Sequence, residues 1–459
     1  MKGYFLSDVS LSNVSLKEKK IEIRGLSIEW PILSPASIGQ ISETLAHART
    51  ALQKIPIATI IDAIAATSEQ FLDPHHAVRQ EAEYVLPKIT GTSQPMVSLT
   101  LNHLFENLTR STLIQLLEEE LGDRTCLDQF QAKRQGGHQT HAIGPNQITH
   151  LLPGAVSGIS VISLTLGLLA KSANLAKVSR DDFLLPSLFA RTLHNLQPAL
   201  GACLAVLPWD TDETEITQSA LDMADCVVVY GNDQTIATIR ERVSSDKKII
   251  CYGHKMSIGL VARECLHQET AQKAAYDISL YDQRGCLSPH TYYVEEGGKI
   301  SPLQFCDYLA EALCEIFRHL PKGQEASGSI AEHSTRWQLR GTVPLRGGQV
   351  FSAPNGTDWT LFYDPDSLFC VSPLGRSVWI KPITDLLQVH HTLKPFERFL
   401  QGIGIAAPPD RFLEIAHSLA QSGASRLAPI GTMQTPPLTW RHNGRFRLLD
   451  LLHFVDLEL

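Results

Sequence analysis

Between residues 148 and 252, short apolar runs alternate with longer amphipathic stretches, and the connections are short. The short runs predict strands over residues 148–152, 175–179, 202–207, 226–230 and 248–252. The longer stretches predict a buried helix over 159–170 and further helices over 184–195, 217–224 and 234–243. Strands that alternate with helices in this way form a parallel sheet. The run Cys226–Tyr230 is apolar throughout, which is typical of a strand covered on both faces. The pattern therefore predicts an α/β fold with a doubly wound sheet.

The regions on either side of this pattern are less regular. Residues 1–35 alternate loosely and predict edge strands, whereas residues 36–92 predict helices. Before the regular region, the pattern predicts a long amphipathic helix over 97–119 closed by Gly122, and a loop at 135–138. After it, the pattern predicts a helix over 301–319, short strands between 337 and 383, helices over 396–402 and 409–422, and a strand within 438–459.

Composition and charge narrow the class of protein. A chain of 459 residues exceeds what one core usually serves, so two or three domains are expected. It is 43% hydrophobic and 19% charged, which is ordinary for a globular protein. The net charge is −8 and no long basic run occurs, which argues against nucleic acid as a partner.

Targeting signals and cysteine usage point to the cytoplasm. The first residues lack the apolar core and cleavage site of a signal peptide, and the most apolar stretch, 156–170, is shorter than the ~20 residues of a membrane span. The nine cysteines are scattered singly, with no Cys-x-x-Cys pair. We therefore expect reduced cytoplasmic thiols, and neither a disulfide framework nor a metal site.

One cysteine has a setting that suits chemistry. Cys286 lies in a polar, glycine-containing turn between a predicted helix over 271–280 and a predicted strand over 291–294. Rigid elements on both sides could present its thiol to a cleft, so Cys286 is a candidate nucleophile. The alternative is an inert thiol. The other cysteines are interpreted as packing or surface thiols, and Cys203, Cys226 and Cys306 fall inside apolar patterns.

Several strand ends carry residues that suit a dinucleotide. Glycines in the loops at 154–158, at Gly231-Asn232 and at Gly253 would let a backbone approach phosphates or ribose, and ligands bind at the carboxyl edge of such sheets. Lys177 and Ser179 could hold a ribose, and the adjacent Arg180 suits a 2′-phosphate. Each of these could instead be a simple tight turn or a solvated strand end. His254 could titrate near neutrality, but a structural role is the alternative.

The strand-end turns come first along the chain, and the segment that carries Cys286 follows them. This order, together with the sequence of that segment, resembles the aldehyde dehydrogenase superfamily; the segment is Tyr281-Asp282-Gln283-Arg284-Gly285-Cys286-Leu287-Ser288-Pro289-His290. Within it, the chain is most similar to the LuxC acyl-CoA reductases, which supply the fatty aldehyde in bacterial bioluminescence. The resemblance covers residues 145–325 well and is faint before them. After residue 330 it depends on Ser372-Pro373-Leu374-Gly375-Arg376 and Pro436-Pro437-Leu438-Thr439-Trp440.

The resemblance implies an aldehyde dehydrogenase-like architecture. It consists of a cofactor-binding domain with an N-terminal extension over 1–253, a smaller α/β catalytic domain over 254–440 and a C-terminal strand or tail over 441–459, with a β extension used in homo-oligomers. It also implies that Cys286 takes the acyl group of a fatty acyl-CoA or acyl-protein thioester, and that a nicotinamide cofactor reduces the acyl-enzyme to the aldehyde. An acyl-transferring or synthetase subunit is a possible donor.

Three departures from the superfamily pattern refine this expectation. Cys251 replaces the glutamate that activates water in hydrolytic members, which favours a reductase. Arg180 replaces a glutamate usual in NAD-using members, which favours NADPH. Ala155 replaces the asparagine whose amide helps to bind the oxyanion, which favours a slow enzyme or a non-catalytic acyl-holding relative. A CoA-acylating aldehyde dehydrogenase acting on shorter aldehydes would use the same residues.

Overall fold

The computed structural model describes residues 1–14, 16–132, 139–154, 158–324 and 329–458. The N-terminal elements are β1 (Phe5–Leu6), α1 (Asp8–Asn13), β2 (Lys17–Ile23), β3 (Leu26–Ile32), α2 (Pro35–Leu52), α3 (Ile57–Leu72), α4 (Ala77–Thr90), α5 (Gln94–Glu106), α6 (Arg110–Leu121), β4 (Gln131–Ala132) and β5 (Gln139–Ile143). The predicted loop at 135–138 lies outside the described residues.

Strands and helices then alternate as the sequence predicts. They are β6 (Gln147–Leu151), α7 (Ile159–Leu169), β7 (Ala173–Val178), α8 (Leu184–Leu196), α9 (Pro198–Gly201), β8 (Leu204–Pro208), α10 (Thr214–Asp222), β9 (Cys226–Tyr230), α11 (Asp233–Arg242) and β10 (Lys248–Tyr252). The strand order is β1-β8-β7-β6-β9-β10, parallel except for β1 at the edge. The doubly wound sheet is therefore confirmed.

A second sheet follows. Its region contains β11 (Met256–Val261), α12 (Gln268–Ser279), β12 (Pro289–Glu295), α13 (Pro302–His319), α14 (Ser329–Thr342), β13 (Gln349–Ser352), β14 (Thr360–Tyr363), β15 (Ser377–Ile383), α15 (Val389–Leu393), β16 (Leu400–Ala406), α16 (Pro409–Leu419) and β17 (Arg426–Pro429), before the tail strand β18 (His453–Leu457). The strand order is β13-β14-β15-β12-β11-β16-β17, and only the β13–β14 pair is antiparallel.

The first sheet is covered on both faces, as its apolar strands predict. In β9, Cys226 and Val228 belong to the core that contains residues of α7, whereas Val227 and Val229 pack with residues of α10 and α11. Because all of these side chains are buried, the sheet is a rigid platform. Its carboxyl edge is consequently the place where loops can hold a ligand.

The tail joins a small separate sheet. Strand β18 pairs with β5, which pairs with β4, all antiparallel. Strands β2 and β3 form an antiparallel hairpin of their own. The chain leaves the first sheet at Tyr252 and enters the second at Met256, and we propose the domain boundary there, at residue 253.

Three predicted elements differ from the structure. The predicted helix over 97–119 is two helices, α5 and α6, because Thr109 caps the second by accepting the Thr112 N–H. Helix α14 occupies the start of the predicted strand region at 337–383. Residues 396–402 contain a short 3₁₀ turn followed by strand β16, whose glycines conceal its strand character in the sequence.

Among the described residues, no single helix combines the length and apolar character needed to cross a membrane. The bent pair α2 and α3 meets that test only when its members are joined, and it turns by 114° between them.

Candidate active site

The turn that carries Cys286 has an unusual backbone. It follows α12 and precedes β12, as the sequence predicts. Tyr281, Asp282 and Gln283 are all left-handed, with φ of 53°, 51° and 64°. Each such residue costs about 1–3 kcal/mol when it is not glycine, so the surrounding structure must hold the turn in place. The sequence carries no signal for this geometry.

Hydrogen bonds within the turn and to a distant segment hold this turn. The Gln283 Nε2 donates to the Pro289 carbonyl at 2.8 Å, and its Oε1 accepts the Ser377 N–H at 2.8 Å. The Arg376 Nε donates to Asp282 Oδ1 at 2.9 Å, and the guanidinium is almost completely buried. The segment Ser372–Arg376, which supports the family resemblance, thus braces the turn that carries the cysteine.

Gln434 fixes the turn from the other side. Its Nε2 donates to the carbonyls of Asp277 and Leu280 at 2.6 and 3.1 Å, and its Oε1 accepts from Ser288 Oγ at 3.0 Å. A Cβ on Gly285 would lie 2.7 Å from that oxygen, so a side chain there would disrupt the contact. Sequence analysis did not identify Gln434, because its partners are distant along the chain.

The half-buried thiol of Cys286 lies on the wall of a cavity of about 150 Å³. Much of the wall is apolar and comes from four parts of the chain: Leu104 on α5, Ile159 and Ile162 on α7, Leu287 beside the thiol, and Pro436 and Leu438 near the C-terminus. The polar groups on the wall include His103, Asn107, His442 and Arg447. The described lining residues include no carboxylate. The cavity therefore suits an apolar group delivered to the thiol.

The electrostatics of the thiol favour its protonated form. Burial raises the pKa of Cys286 to about 11, although the backbone N–H groups of Cys286 and Leu287 and the charge of Lys255 oppose this shift. The Lys255 Nζ donates to the Arg398 carbonyl at 2.7 Å. At neutral pH Cys286 therefore carries its proton, and it could act as a nucleophile only after losing it.

An aromatic column connects the first sheet to this cavity. Tyr230 stacks on Tyr252 with ring centroids 4.5 Å apart, Tyr252 stacks on His442 at 4.4 Å, and His442 lies 4.8 Å from Trp440. Burial lowers the pKa of His442 to about 3, so its ring is neutral. The column places Trp440 and His442 against the ends of β9 and β10. The sequence analysis did not predict this contact.

The predicted cofactor residues all lie at the carboxyl edge of the first sheet. Lys177, Ser179 and Arg180 are at or just after the end of β7, and Gly231, Asn232 and Gly253 follow β9 and β10, with β6 between the two groups. The Gly231 N–H donates to the Tyr252 carbonyl at 3.2 Å, which joins the turns after β9 and β10.

Some of these residues also have structural roles. The Asn232 side chain caps α11 by accepting the Thr235 N–H at 2.8 Å. Ser179 Oγ accepts the Asp181 N–H at 3.2 Å and lies so close to Gly154 that a Cβ at residue 154 would collide with it. The glycine at 154 is therefore required by the protein itself, and Ala155 lies outside the described residues.

Charged groups at the end of β7 form a small cluster. Arg180 makes an ion pair with Asp210 at 2.5 Å, and both side chains are about half exposed. Burial lowers the pKa of Lys177, which Asp210 and Glu213 oppose. Any anion bound there would compete with Asp210 for Arg180.

The histidines His254 and His290 differ in their surroundings. His290 is buried, its Nδ1 accepts the Ser372 N–H at 3.1 Å, and burial lowers its pKa to about 4. His254 is exposed.

Cys251 lies in β10, where its sulfur accepts from Arg240 Nε at 3.4 Å.

Solved structures share this architecture over nearly the whole chain. Aldehyde dehydrogenase 21 from Physcomitrella patens, in complex with the reaction product succinate, superposes with a TM-score of 0.72 at 11% identity, covering 99% of this chain and 97% of that one. The NADP-dependent glyceraldehyde-3-phosphate dehydrogenase of Bacillus halodurans, complexed with NADP, gives 0.72 at 12% identity, covering 96% of each chain. The fold is that of the aldehyde dehydrogenases.

Sequence comparison specifies the family. Residues 52–454 match the family described as acyl-CoA reductase (LuxC). The long-chain acyl-protein thioester reductase 2 of Photobacterium leiognathi is 25% identical over 468 aligned positions, covering 99% of this chain and 90% of that protein. The chain therefore belongs to the acyl-CoA reductase (LuxC) family, which confirms the resemblance found in its sequence, and it is an oxidoreductase.

Proposed function

We propose that this protein reduces a long-chain fatty acyl thioester, carried by CoA or by a protein, to the fatty aldehyde with NADPH, through an acyl thioester on Cys286. The observation that carries the proposal is the position of Cys286. Its half-buried thiol lies on the wall of a largely apolar cavity, on a turn held by Arg376 and Gln434.

The first half of the reaction takes place on the Cys286 thiol. Cys286 Sγ loses its proton and attacks the thioester carbonyl carbon, the bond from that carbon to the donor sulfur breaks, and the donor leaves as a thiol carrying a proton. The two backbone N–H groups and the positive charge of Lys255 stabilise the thiolate while it forms. The product is an acyl group held on Cys286.

The second half must avoid water. When bound, the nicotinamide cofactor supplies the hydride that reduces the acyl carbon. Because the described cavity wall has no carboxylate to activate water, the acyl-enzyme is protected from hydrolysis. Cys286 then leaves the reduced carbon as a thiolate and recovers a proton, and the aldehyde departs.

The residues at the edge of the first sheet fit a dinucleotide. A Cβ on Gly253 would make ordinary van der Waals contact with Ile236 and Asp233 at 3.5 and 3.6 Å, so the backbone there is approachable without a clash. Lys177, Ser179 and Arg180 would hold the ribose end, and Gly231 and Asn232 would lie beside the phosphates at the start of α11. Arg180 supports NADPH, since a guanidinium attracts a 2′-phosphate.

The donor and the assembly are inferred from the relatives and the small sheet. The relative's name specifies an acyl-protein thioester, and a transferase or synthetase subunit would deliver such a donor. The β4–β5–β18 sheet is the candidate β extension for a homo-oligomer. The cysteines among the described residues are all free, which suits the cytoplasm.

A second candidate function is a non-catalytic acyl holder. The raised thiol pKa and Ala155 at the asparagine position both favour slow turnover. A CoA-acylating aldehyde dehydrogenase on shorter aldehydes uses the same residues in the opposite direction.

Aldehyde production from acyl-CoAs of graded chain length tests the proposal. We expect aldehyde from long chains with NADPH, much less with NADH, and none from Cys286→Ser. A preference for short chains would favour the CoA-acylating alternative. If wild type forms an acyl-enzyme but no aldehyde with either cofactor, the acyl holder is favoured, and if it forms neither, both functions are excluded.

A further inference from the structure

One charged side chain on the wall of the Cys286 cavity has no role in the mechanism above. Arg447 is only 9% exposed, and it lines the cavity. Among the described residues it has no ion pair, and its side-chain hydrogen bond runs from Nη1 to the Leu438 carbonyl at 3.1 Å. The described wall contains no carboxylate. Because a buried cation without a counter-charge is costly, Arg447 requires an explanation.

Two carboxylates contact the segment around Arg447, and both have other partners. The Oε1 of Glu120 accepts the backbone N–H of Arg447 at 2.9 Å, and its Oε2 accepts the next two backbone N–H groups at 2.8 Å each. Asp450 pairs with the exposed Arg445 at 2.6 Å. These contacts fix the segment, so the guanidinium is in place before any ligand arrives.

The free edge of this guanidinium has a specific shape. With Nη1 engaged by Leu438, Nε and Nη2 are the nitrogens of Arg447 that have no acceptor among the described residues. Neither is among the completely enclosed polar atoms that lack a partner, so both keep accessible surface. Nε and Nη2 lie on the same side of the planar group, and their parallel N–H bonds match the two oxygens of one carboxylate.

The charge of Arg447 acts on the side of the cavity that the aromatic column forms. Burial lowers the pKa of His442 and Arg447 lowers it further, whereas burial raises the pKa of Tyr252 and Arg447 opposes that shift. On the Cys286 thiol, the charge that favours ionisation is that of Lys255. Since the rest of the wall is largely apolar, a ligand that suits this cavity has an apolar body and one anionic group.

We propose that the Cys286 cavity binds a carboxylate at the end of an apolar chain, and that Nε and Nη2 of Arg447 hold this carboxylate side-on. The inference goes beyond the proposed function, because a free carboxylic acid has no thiol leaving group and fills the cavity without reacting. Arg447 is the only permanent cation on the described wall, so a singly charged carboxylate fits better than a phosphate. Two ligands offer this chemistry: a free fatty acid, and an acyl thioester with a carboxylate at the far end of its chain.

The affinities of decanoate and decanol, measured by titration calorimetry, test the contact without turnover. We expect wild type to bind decanoate about 10–100-fold more tightly than decanol, the range for hydrogen bonds to a charged group. Arg447→Met should bind both equally, and an unchanged affinity for decanol shows that its cavity is intact. Arg445→Met is the matched control, since it removes an exposed arginine two residues away, and it should keep the preference. Equal affinities in wild type, or a preference that survives in Arg447→Met, overturn the proposal.

Arg447→Lys tests the shape of the contact and replaces Arg447→Met if that variant does not fold. It keeps the positive charge and loses the side-on pair of N–H groups, so most of the preference for decanoate should disappear. A full preference in Arg447→Lys contradicts side-on binding.

Alkylation of Cys286 by iodoacetamide locates the site. Bound decanoate should slow the alkylation in wild type in proportion to the occupied fraction. If decanoate binds and leaves the alkylation rate unchanged, the carboxylate lies outside this cavity and the proposal is wrong.

Reduction assays identify the source of the carboxylate. If the acyl chain carries it, wild type should reduce the decanedioyl monothioester of CoA in preference to decanoyl-CoA, and Arg447→Met should lose this preference. If the free acid is the ligand, decanoyl-CoA is preferred and decanoate inhibits its reduction. If neither thioester is reduced, the proposed function fails, whereas the binding of decanoate still decides this inference.

Discussion

Cys286 combines an accessible thiol with an environment that resists ionisation. Burial raises its pKa, and only the nearby N–H groups and Lys255 favour the thiolate. At neutral pH the thiolate, which is the reactive form of any cysteine, is therefore a small fraction of the Cys286 population. This arrangement protects the thiol from adventitious oxidation and makes its reactivity strongly dependent on pH.

The rate of Cys286 alkylation should therefore rise with pH well beyond the range of an ordinary thiol. With a pKa of about 11, the thiolate fraction and the iodoacetamide rate should increase about tenfold per pH unit between about pH 7 and pH 10. Lys255→Gln should slow alkylation further at each pH, because it removes the positive charge that favours the thiolate. Peptide mapping assigns the label to Cys286, and a plateau near pH 9 would contradict the raised pKa.

Arg180 should set the choice of cofactor. Arg180→Glu replaces a guanidinium that attracts the 2′-phosphate with a carboxylate that repels it. The kcat/KM with NADPH should therefore fall by about 10–100-fold, while the kcat/KM with NADH stays the same or rises. Asp210→Asn is the matched variant, because it frees Arg180 from its ion pair and should improve NADPH use. An equal loss with both cofactors in Arg180→Glu would show that Arg180 does not read the phosphate.

Among the secondary-structure elements, the link between α12 and β12 determines where the Cys286 thiol lies. Its left-handed residues cost free energy, and contacts from residues 372–377 and from Gln434 offset that cost. Leu374, Gly375 and Arg376 are themselves left-handed, so two strained turns support each other. Strain held in this way fixes the thiol against the cavity.

Arg376→Met should release this turn. It leaves Asp282 without its buried partner, and removing one member of a buried pair typically costs about 3–5 kcal/mol of unfolding free energy. Acylation of Cys286 should fall as well. Arg110→Met is the control, because Arg110 pairs with Asp62 at an exposed site, where the loss should be at most about 1 kcal/mol. Wild-type stability and acylation in Arg376→Met, measured by chemical denaturation and mass spectrometry, would refute this role.

The sequence predicts some elements far better than others, for physical reasons. The strands and helices between residues 148 and 252 were predictable to within a few residues, since a strand buried on both faces leaves a continuous apolar run. The separate helices α5 and α6 were not, because the apolar period continues across the break at Thr109. The position of Cys286 between a helix and a strand was predictable, whereas its bracing by Arg376 and Gln434 depends on contacts between distant parts of the chain.

In the whole molecule, the cavity lies where two sheets and the C-terminal residues meet. One sheet presents the expected cofactor residues at its carboxyl edge, and the other presents Cys286 from the turn before β12. The aromatic column and Gln434 connect the C-terminal residues to both. The Cys286 thiol thus lies on a largely apolar wall, and the proposed cofactor residues lie at the carboxyl edge of the first sheet.

The decisive experiment follows one acyl group through the enzyme. Wild type is incubated with long-chain acyl-CoA labelled in the acyl group, freed of excess label, and then given NADPH. We expect label on Cys286, located by peptide mapping, followed by its loss as fatty aldehyde, and no label on Cys286→Ala. Equal labelling of Cys286→Ala, or release of the label as fatty acid instead of aldehyde, would contradict the proposed mechanism.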